Sequence, residues 1–223
     1  MPALQSENRV SVEVSRSIGS VSAKILDADN PTCVLTLAHG AGAGMDHPFM
    51  VSLALEFAKH SIVTIRFNFP YMENGKGRPD PPAIAGKTVE AVINSAHALY
   101  PKLPVFAGGK SFGGRMTSQR LSKDCPAFVK GIVFFGFPLH PAGAPSTDRA
   151  NHLAAIKIPM LFLQGTKDAL AAMELMEGVV KKLPSSALKK YEGADHSFKV
   201  PKKQMIDVLA NDAHQWMKRI SIA

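Results

Sequence analysis

The chain has 223 residues, a formal net charge of +8, 46% hydrophobic residues and 20% charged residues. This balance is typical of an ordinary water-soluble globular protein and excludes the disordered and fibrous classes. No apolar run approaches the roughly 18 residues that a membrane-spanning helix needs, so no membrane partner is expected. The length predicts a single α/β domain over residues 1–223.

The positive charge is scattered along the chain. Its densest groups are three lysine pairs on different predicted elements: Lys181-Lys182, Lys189-Lys190 and Lys202-Lys203. Binding along a phosphate backbone needs one coherent basic surface, so no nucleic-acid partner is expected. An anionic substrate stays open as an alternative.

Neither the N-terminal sequence nor the cysteine content indicates an extracellular protein. The first residues, MPALQSENRVSVEVSRS, lack both a basic start and a continuous apolar segment, which predicts no secretory signal and makes the cytoplasm the default location. Cys33 and Cys125 are too few for a disulfide framework. We expect both to be buried thiols.

The first predicted elements are two alternating strands, RVSVEVSRS and VSAKILDA, joined by a turn at 18–20. They predict an antiparallel hairpin at a sheet edge. Short, mostly apolar runs follow, as expected of strands buried on both faces. These runs are TCVLTLAHG, SIVTIRFNFP, PVFAGG, VKGIVFFGF, PMLFLQG and ALKKYEG.

Helical patterns separate and follow these strands. They are PFMVSLALEFAKH, KTVEAVINSAHALY, SFGGRMTSQRLSKD, TDRANHLAAIK, LAAMELMEGVVKKL and KKQMIDVLANDAHQWMKRI. The alternation predicts a doubly wound, mostly parallel sheet, with its ligand at the carboxyl ends of the strands. The proline-rich stretch YMENGKGRPDPPAIAG, residues 71–86, is predicted to be a loop over that edge.

The stretch AGGKSFGGRM, residues 107–116, matches two different motifs. A phosphate-binding P-loop would need a glycine where Pro104 stands and slack chain where residues 105–107 continue the strand. The run GIVFFGF also offers no acidic strand end to help hold magnesium. No metal or nucleotide cofactor is therefore expected here.

The same residues match a G-x-S-x-G nucleophile elbow. Ser111 would stand at a sharp turn between the strand PVFAGG and the following helix, where Gly109 and Gly113 let the two backbones approach. The strand and helix context is the one that this motif requires. Ser111 is accordingly the candidate nucleophile.

A serine nucleophile needs a base and an acid that orients the base. His196 follows the last predicted strand, and Asp168 follows the strand before it. The order Ser111, Asp168, His196 is that of α/β-hydrolases. Asp195 and Asp148 are the competing acids. Of the other histidines, His39 is interpreted as structural, and His60, His97 and His214 fall within or at the end of predicted helices. Three could approach the cleft, with a surface or wall position as the alternative: His47, His140 and His152.

Acyl transfer also needs donors for the oxyanion that forms in the transition state. The backbone amides of Phe112, at the helix start, and Ala41, in LAHGAGAGMDHPF, are the candidates for this oxyanion hole. The glycines of that loop superficially match a dinucleotide-binding turn. No acidic residue ends the next strand to hold a ribose, so no such cofactor is expected.

With these residues in place, the sequence resembles the α/β-hydrolases over nearly its whole length. It is most similar to a compact branch related to dienelactone-hydrolase-like proteins, whose vertebrate members include a testis-expressed protein and a subunit of a chromatin acetyltransferase complex. The resemblance implies a serine hydrolase core with little or no lid. Lys110 stands where many lipases and esterases carry histidine, tyrosine or aspartate, and dienelactone hydrolases themselves use a cysteine nucleophile.

Two functions follow as hypotheses. The first is a hydrolase of small carboxylic esters or thioesters that acts through Ser111, His196 and Asp168. The second is a catalytically silent binding or scaffold protein on the same fold, since fold does not fix function. Side chains that could shape the pocket or its entrance, with capping, solvation, packing or a solvated loop as the alternatives, are Lys110, Arg115, Tyr71, Phe49, Arg78 and Asp80.

Overall fold

The computed structural model describes residues 7–200 and 205–222. Eight strands form one sheet: β1 Glu7–Ser15, β2 Gly19–Leu26, β3 Cys33–Ala38, β4 Ile62–Phe67, β5 Val105–Lys110, β6 Val129–Phe135, β7 Met160–Gly165 and β8 Ser186–Tyr191. The helices are α1 Pro48–Lys59, α2 Pro70–Glu73, α3 Pro82–Leu99, α4 Phe112–Leu121, α5 Met173–Lys181 and α6 Ile206–Ile222, with a 3₁₀ helix at Asp148–Ala155.

The strand order across the sheet is β1-β2-β4-β3-β5-β6-β7-β8. β1 and β2 are an antiparallel pair, turned at Gly19 with its φ of +85°, and β2 is antiparallel to β4. All other neighbouring strands run parallel. The predicted mostly parallel α/β-hydrolase architecture with an N-terminal antiparallel hairpin is therefore confirmed.

Helices cover both faces of the sheet, which explains why the central strands are apolar on both sides. One face packs against α3, α4 and α5 through residues such as Val89, Met116 and Met176. The other packs against α1 and α6 through residues such as Phe57 and Trp216. β3, β4 and β7 are buried along their whole length.

The stretch predicted as a loop over residues 71–86 contains more regular structure than expected. α2 begins at Pro70 and α3 at Pro82, so the loop prediction was wrong at both ends. Proline is tolerated in the first turn of a helix, where its missing N–H would have no partner, and here it begins helices. The helix predicted from residue 202 starts outside the described residues, and α6 is described from Ile206.

Between β6 and β7 the chain forms only the short 3₁₀ helix, so no helical lid is inserted there. Among the described residues, no helix has both the length and the apolar character needed to span a bilayer. The strand order reverses direction around β3 and β5, which is where doubly wound sheets leave a crevice at their carboxyl edge. The segments after β3 and β5 flank that crevice.

Candidate active site

Ser111 occupies a strained turn between β5 and α4. Its φ is 51° and its ψ is −115°, which an L-residue rarely adopts. A Cβ on Gly109 would lie 2.6 Å from the Gly114 nitrogen, and one on Gly113 would overlap the Ala38 carbonyl. The glycines are therefore required by close packing, and they hold Ser111 at the apex of an elbow.

The structure brings the three predicted side chains into one chain of hydrogen bonds. The Oγ of Ser111 lies 2.8 Å from the Nε2 of His196, and the Nδ1 of His196 lies 2.7 Å from Oδ2 of Asp168. An ionised carboxylate only accepts, so Nδ1 carries the proton and Nε2 is free to accept from the serine hydroxyl. This is the geometry that a serine nucleophile and its base require.

The carboxylate of Asp168 is held in place by further donors. Its side chain has no solvent exposure, whereas the His196 side chain is 24% exposed. The Leu170 amide donates to Oδ1 at 2.7 Å, and Nε2 of Gln164 donates to Oδ2 at 2.5 Å. The backbone amide of Phe137 donates to Oε1 of the same Gln164 side chain. These bonds satisfy a buried charge and fix its direction toward the imidazole.

The two competing acids lie elsewhere. Oδ1 of Asp195 accepts from the amides of Ser197 and Lys199 at 2.8 and 2.9 Å, so its side chain organises the turn that carries His196. Asp148 begins the 3₁₀ helix and is exposed. Asp168 is the only one of the three predicted acids that contacts the imidazole.

Ala41 and Phe112 both lie beside Ser111. Each lines a cavity that also contains the serine, and neither backbone amide has a hydrogen-bond acceptor within the described part of the chain. Phe112 is the first residue of α4, where the helix dipole adds partial positive charge. Two such donors next to a nucleophile can stabilise an oxyanion.

The loop that carries Ala41 is held by hydrogen bonds from buried side chains. Nδ1 of His39 donates to the Gly40 carbonyl at 2.8 Å, and its Nε2 accepts from the Phe69 amide at 3.1 Å. The hydroxyl of Tyr71 donates to the Ala41 carbonyl at 2.8 Å. Burial lowers the pKa of His39 to about 4, which keeps its imidazole neutral. His39 is structural, as predicted.

With the site described, its family can be stated. A family model for the alpha/beta hydrolase domain matches residues 31–221. The chain belongs to this family. The match begins before β3 and includes every strand of the parallel part of the sheet, together with Ser111, Asp168 and His196.

Solved structures share this α/β-hydrolase fold over nearly their full length. Dienelactone hydrolase from Anabaena variabilis is 21% identical, with a TM-score of 0.76 over 96% of this chain and 98% of that one. An α/β serine hydrolase without lid from Xanthomonas campestris is 18% identical, with a TM-score of 0.72 over 98% and 95%. Est1E from Butyrivibrio proteoclasticus, with ferulic acid bound, is 13% identical, with a TM-score of 0.75 over 96% and 100%. At these identities the likeness shows the fold.

A lysine of this α/β-hydrolase supports the loop that carries the histidine. Nζ of Lys110 donates to the His196 carbonyl at 2.6 Å. It also lies 6.0 Å from the ring centre of Phe49 and 5.6 Å from that of Phe198, close enough for cation–π attraction. Sequence reasoning left solvation of Lys110 open, and the structure shows a partly exposed lysine whose ammonium is bonded to a carbonyl. The available signal was a lysine at the end of an otherwise apolar strand.

The environment of this lysine is costly for its charge. Desolvation lowers the pKa of Lys110 to about 8, although the nearby carboxylates of Asp168 and Asp195 favour the charged form. The carbonyl of His196 therefore receives a charge-assisted hydrogen bond at neutral pH. Lys110 ties the end of β5 to the turn after β8.

A second serine–histidine pair lies deeper on α4. Oγ of Ser118 is 2.7 Å from Nε2 of His152 and 3.0 Å from the Arg115 carbonyl. This pair fits two parts of a triad. Within the described residues, however, no carboxylate contacts His152, and Ser118 is fully buried. Burial and the Arg115 charge lower the pKa of His152 to about 4.

Ser111 lies between two cavities. The smaller has a volume of about 540 Å³ and contains Lys110, Phe49, Met50 and His196 in its wall. The larger has a volume of about 1020 Å³, and its wall contains three other predicted pocket residues, Arg115, Arg78 and Asp80, together with Phe112. Tyr71 is buried beneath the glycine loop rather than in a wall.

Proposed function

We propose that this chain is a serine hydrolase that cleaves small carboxylic esters or thioesters through an acyl-enzyme. The hydrogen-bonded series Ser111, His196 and Asp168 at the carboxyl edge of the sheet supports this proposal most strongly. The family supports hydrolysis in general, and the ester or thioester class comes from the chemistry of the site. Asp168 orients the imidazole, and His196 is the base.

Each step can be assigned to a group. Nε2 of His196 takes the hydroxyl proton of Ser111 while Oγ forms a bond to the carbonyl carbon. The amides of Ala41 and Phe112 stabilise the resulting oxyanion. The bond to the alcohol or thiol then breaks, and His196 returns the proton to the leaving group. Water attacks the acyl-enzyme by the same route and releases the acid.

The two cavities beside Ser111 accommodate the two halves of such a substrate. An ester carbonyl placed at Oγ would direct one half into the smaller cavity and the other into the larger one. The absence of a helical insertion between β6 and β7 leaves this edge open to water. Small substrates would therefore enter without displacement of a lid.

Labelling with a fluorophosphonate tests the proposal directly. The reagent bonds only to a serine that its base has activated, so wild type should be labelled and Ser111→Ala should not. Ser118→Ala is the matched control, because it removes the other histidine-bonded hydroxyl of α4. Absence of label from folded wild type would instead support a silent binding or scaffold protein.

Several sequence expectations accompany this proposal. The partner is a small ester or thioester, with no nucleic acid and no membrane, and the location is cytoplasmic. The narrower branch that includes a testis-expressed protein and an acetyltransferase-complex subunit also stays a prediction. A turnover panel that pairs esters with thioesters of equal acyl length would choose between the two substrate types.

A further inference from the structure

The larger cavity at Ser111 is strongly cationic. Its wall includes four positive side chains and one carboxylate: Lys76, Arg78, Arg115, Arg149 and Asp80. The carboxylate already has a role, because its Oδ2 accepts from the Tyr71 amide at 2.9 Å. The remaining wall is largely apolar, with prolines, Ile84, Phe112 and Leu170. The charges therefore line an open cavity with largely apolar walls, and two of them, Lys76 and Arg78, are exposed.

Two of the arginines are brought together by different elements. Arg115 lies one turn after the nucleophile on α4, where its amide donates to the Ser111 carbonyl at 3.1 Å. Arg149 lies on the 3₁₀ helix, and both residues are only partly exposed. Burial, together with the positive charge of Arg149, lowers the pKa of Arg115 below its ordinary value. Two like charges here raise the free energy of the empty cavity.

Among the described residues, these arginines form no ion pair with a carboxylate. In the ranges 7–200 and 205–222, none lies within 4.0 Å of a guanidinium nitrogen of Arg78, Arg115 or Arg149. Arginines elsewhere differ: Arg120 contacts Glu90 at 2.5 Å, and Arg66 contacts Glu7. An unpaired guanidinium presents donors that match the two oxygens of a carboxylate or phosphate.

We propose that Arg78, Arg115 and Arg149 form an anion subsite, so that the preferred substrates of Ser111 are esters or thioesters that also carry a carboxylate or phosphate. This inference rests on the proposed function and names its substrate class. The anion lies in the larger cavity and neutralises the arginines, while the scissile carbonyl reaches Ser111. The apolar walls contact the chain that joins the two groups.

Matched substrates test the preference. Mono-p-nitrophenyl glutarate and p-nitrophenyl valerate have acyl chains of equal length, and only the first carries a carboxylate. For a phosphate, a butanoyl thioester of coenzyme A is compared with that of N-acetylcysteamine. We expect kcat/KM to be roughly 10- to 100-fold higher for one anionic member, as a hydrogen-bonded charge pair provides. The pair that shows the preference identifies the anion.

Charge removal assigns the preference to the subsite. In Arg115→Met and Arg149→Met, the ratio of kcat/KM for the anionic to the neutral substrate should fall about tenfold. Arg219→Met is the matched control, because it removes one positive charge from an exposed position outside both cavities. Arg115→Lys keeps the positive charge but loses the paired guanidinium donors, so it should give an intermediate ratio.

Equal turnover of neutral and anionic substrates by wild type would overturn the subsite, and so would a preference that both methionine variants retain. Rising salt should also lower kcat/KM for the anionic member alone. A preference that Arg219→Met lowers equally would show a general effect of net charge and would contradict the assignment.

Calorimetry separates failure of the subsite from failure of the proposed function. Ser111→Ala should bind monomethyl glutarate more tightly than methyl valerate, and adding Arg115→Met should abolish the difference. If wild type shows no turnover but this difference is present, the anion subsite stands and the hydrolase proposal fails. If wild type turns over neutral esters and no difference in binding is found, the hydrolase stands and the subsite is wrong.

Discussion

The serine–histidine pair just before α4 and the pair within it have almost the same contact distance and different surroundings. Oγ to Nε2 is 2.8 Å for Ser111 and His196 and 2.7 Å for Ser118 and His152. His196 contacts the carboxylate of Asp168, whereas the positive charge of Arg115 lowers the pKa of His152. The contact alone therefore does not make a nucleophile, because the imidazolium that forms must be stabilised.

Accessibility separates the pairs as well. Ser111 lines two cavities and stands beside two amides without acceptors among the described residues. Ser118 is fully buried, and its hydroxyl also lies within hydrogen-bond distance of a carbonyl of its own helix. A substrate carbonyl can reach the first hydroxyl and not the second. The comparison favours the first pair for the proposed chemistry and a packing role for the second.

Removal of each hydroxyl tests most directly which of the two serines turnover requires. Ser111→Ala should lower kcat for p-nitrophenyl acetate by about 10⁴-fold or more, because no nucleophile remains. Ser118→Ala should change kcat by less than about threefold, since this hydroxyl only packs the helix. Steady-state kinetics on both variants, with circular dichroism to confirm folding, provides the measurement. Reversed effects would move the active site to the deeper pair.

The carboxylate is the next difference to test. Asp168→Asn should lower kcat by about 10⁴-fold, because an amide cannot stabilise the imidazolium and favours the wrong tautomer. Asp195→Asn is the matched control. Its side chain accepts only from the turn amides, so a smaller kinetic effect is expected. A similar loss in both variants would show that loop geometry, and not the charge of Asp168, determines the rate.

The partly buried ammonium of Lys110 contacts the histidine of the first pair, and its lowered pKa predicts a pH dependence of stability. Its pKa is about 8 in the folded state against 10.5 ordinarily, so between these values the unfolded chain retains a proton that the folded chain lacks. Unfolding should therefore become less favourable as pH rises through this window, by up to about 1.4 kcal/mol per pH unit.

Denaturant titrations of wild type and Lys110→Met between pH 7.5 and 10 would isolate this contribution. The free energy of unfolding of wild type should rise relative to that of the variant above pH 8. A constant difference between the two proteins across the range would mean that Lys110 keeps an ordinary pKa.

The smallest expected effect is at the second histidine. His152→Phe removes the acceptor or donor of Ser118 while the hydroxyl keeps its bond to the Arg115 carbonyl. We expect a loss of about 1 kcal/mol in the free energy of unfolding, the usual value of one hydrogen bond. Turnover of a neutral ester should change by less than about twofold, because His152 lies outside both cavities at Ser111. A larger kinetic loss would link the two pairs.

The fold and the positions of Ser111, Asp168 and His196 could be predicted from local sequence patterns. Apolar runs with glycine or proline ends predict buried strands, and Ser111, Asp168 and His196 each follow one of them. Chain order and strand ends are therefore enough to place these residues at one edge. The proposed roles rest on the same placement and await the tests above.

Other features depend on contacts between distant segments. The bond from Lys110 to His196 and the shared cavity of Arg115 and Arg149 have no signature in either local stretch. Prolines misled the prediction for residues 71–86, because the same residue ends a strand, makes a loop or begins a helix. Only the three-dimensional packing separates these outcomes.

The clamp on the glycine loop has a consequence for how the site responds to ligands. His39 and Tyr71 fix the Gly40 and Ala41 carbonyls from the protein interior, so the Ala41 amide is aimed before any ligand arrives. This dipole is ordered during folding, so the proposed reaction would need no further free energy to orient it. Free and acylated protein should therefore superimpose closely at this loop.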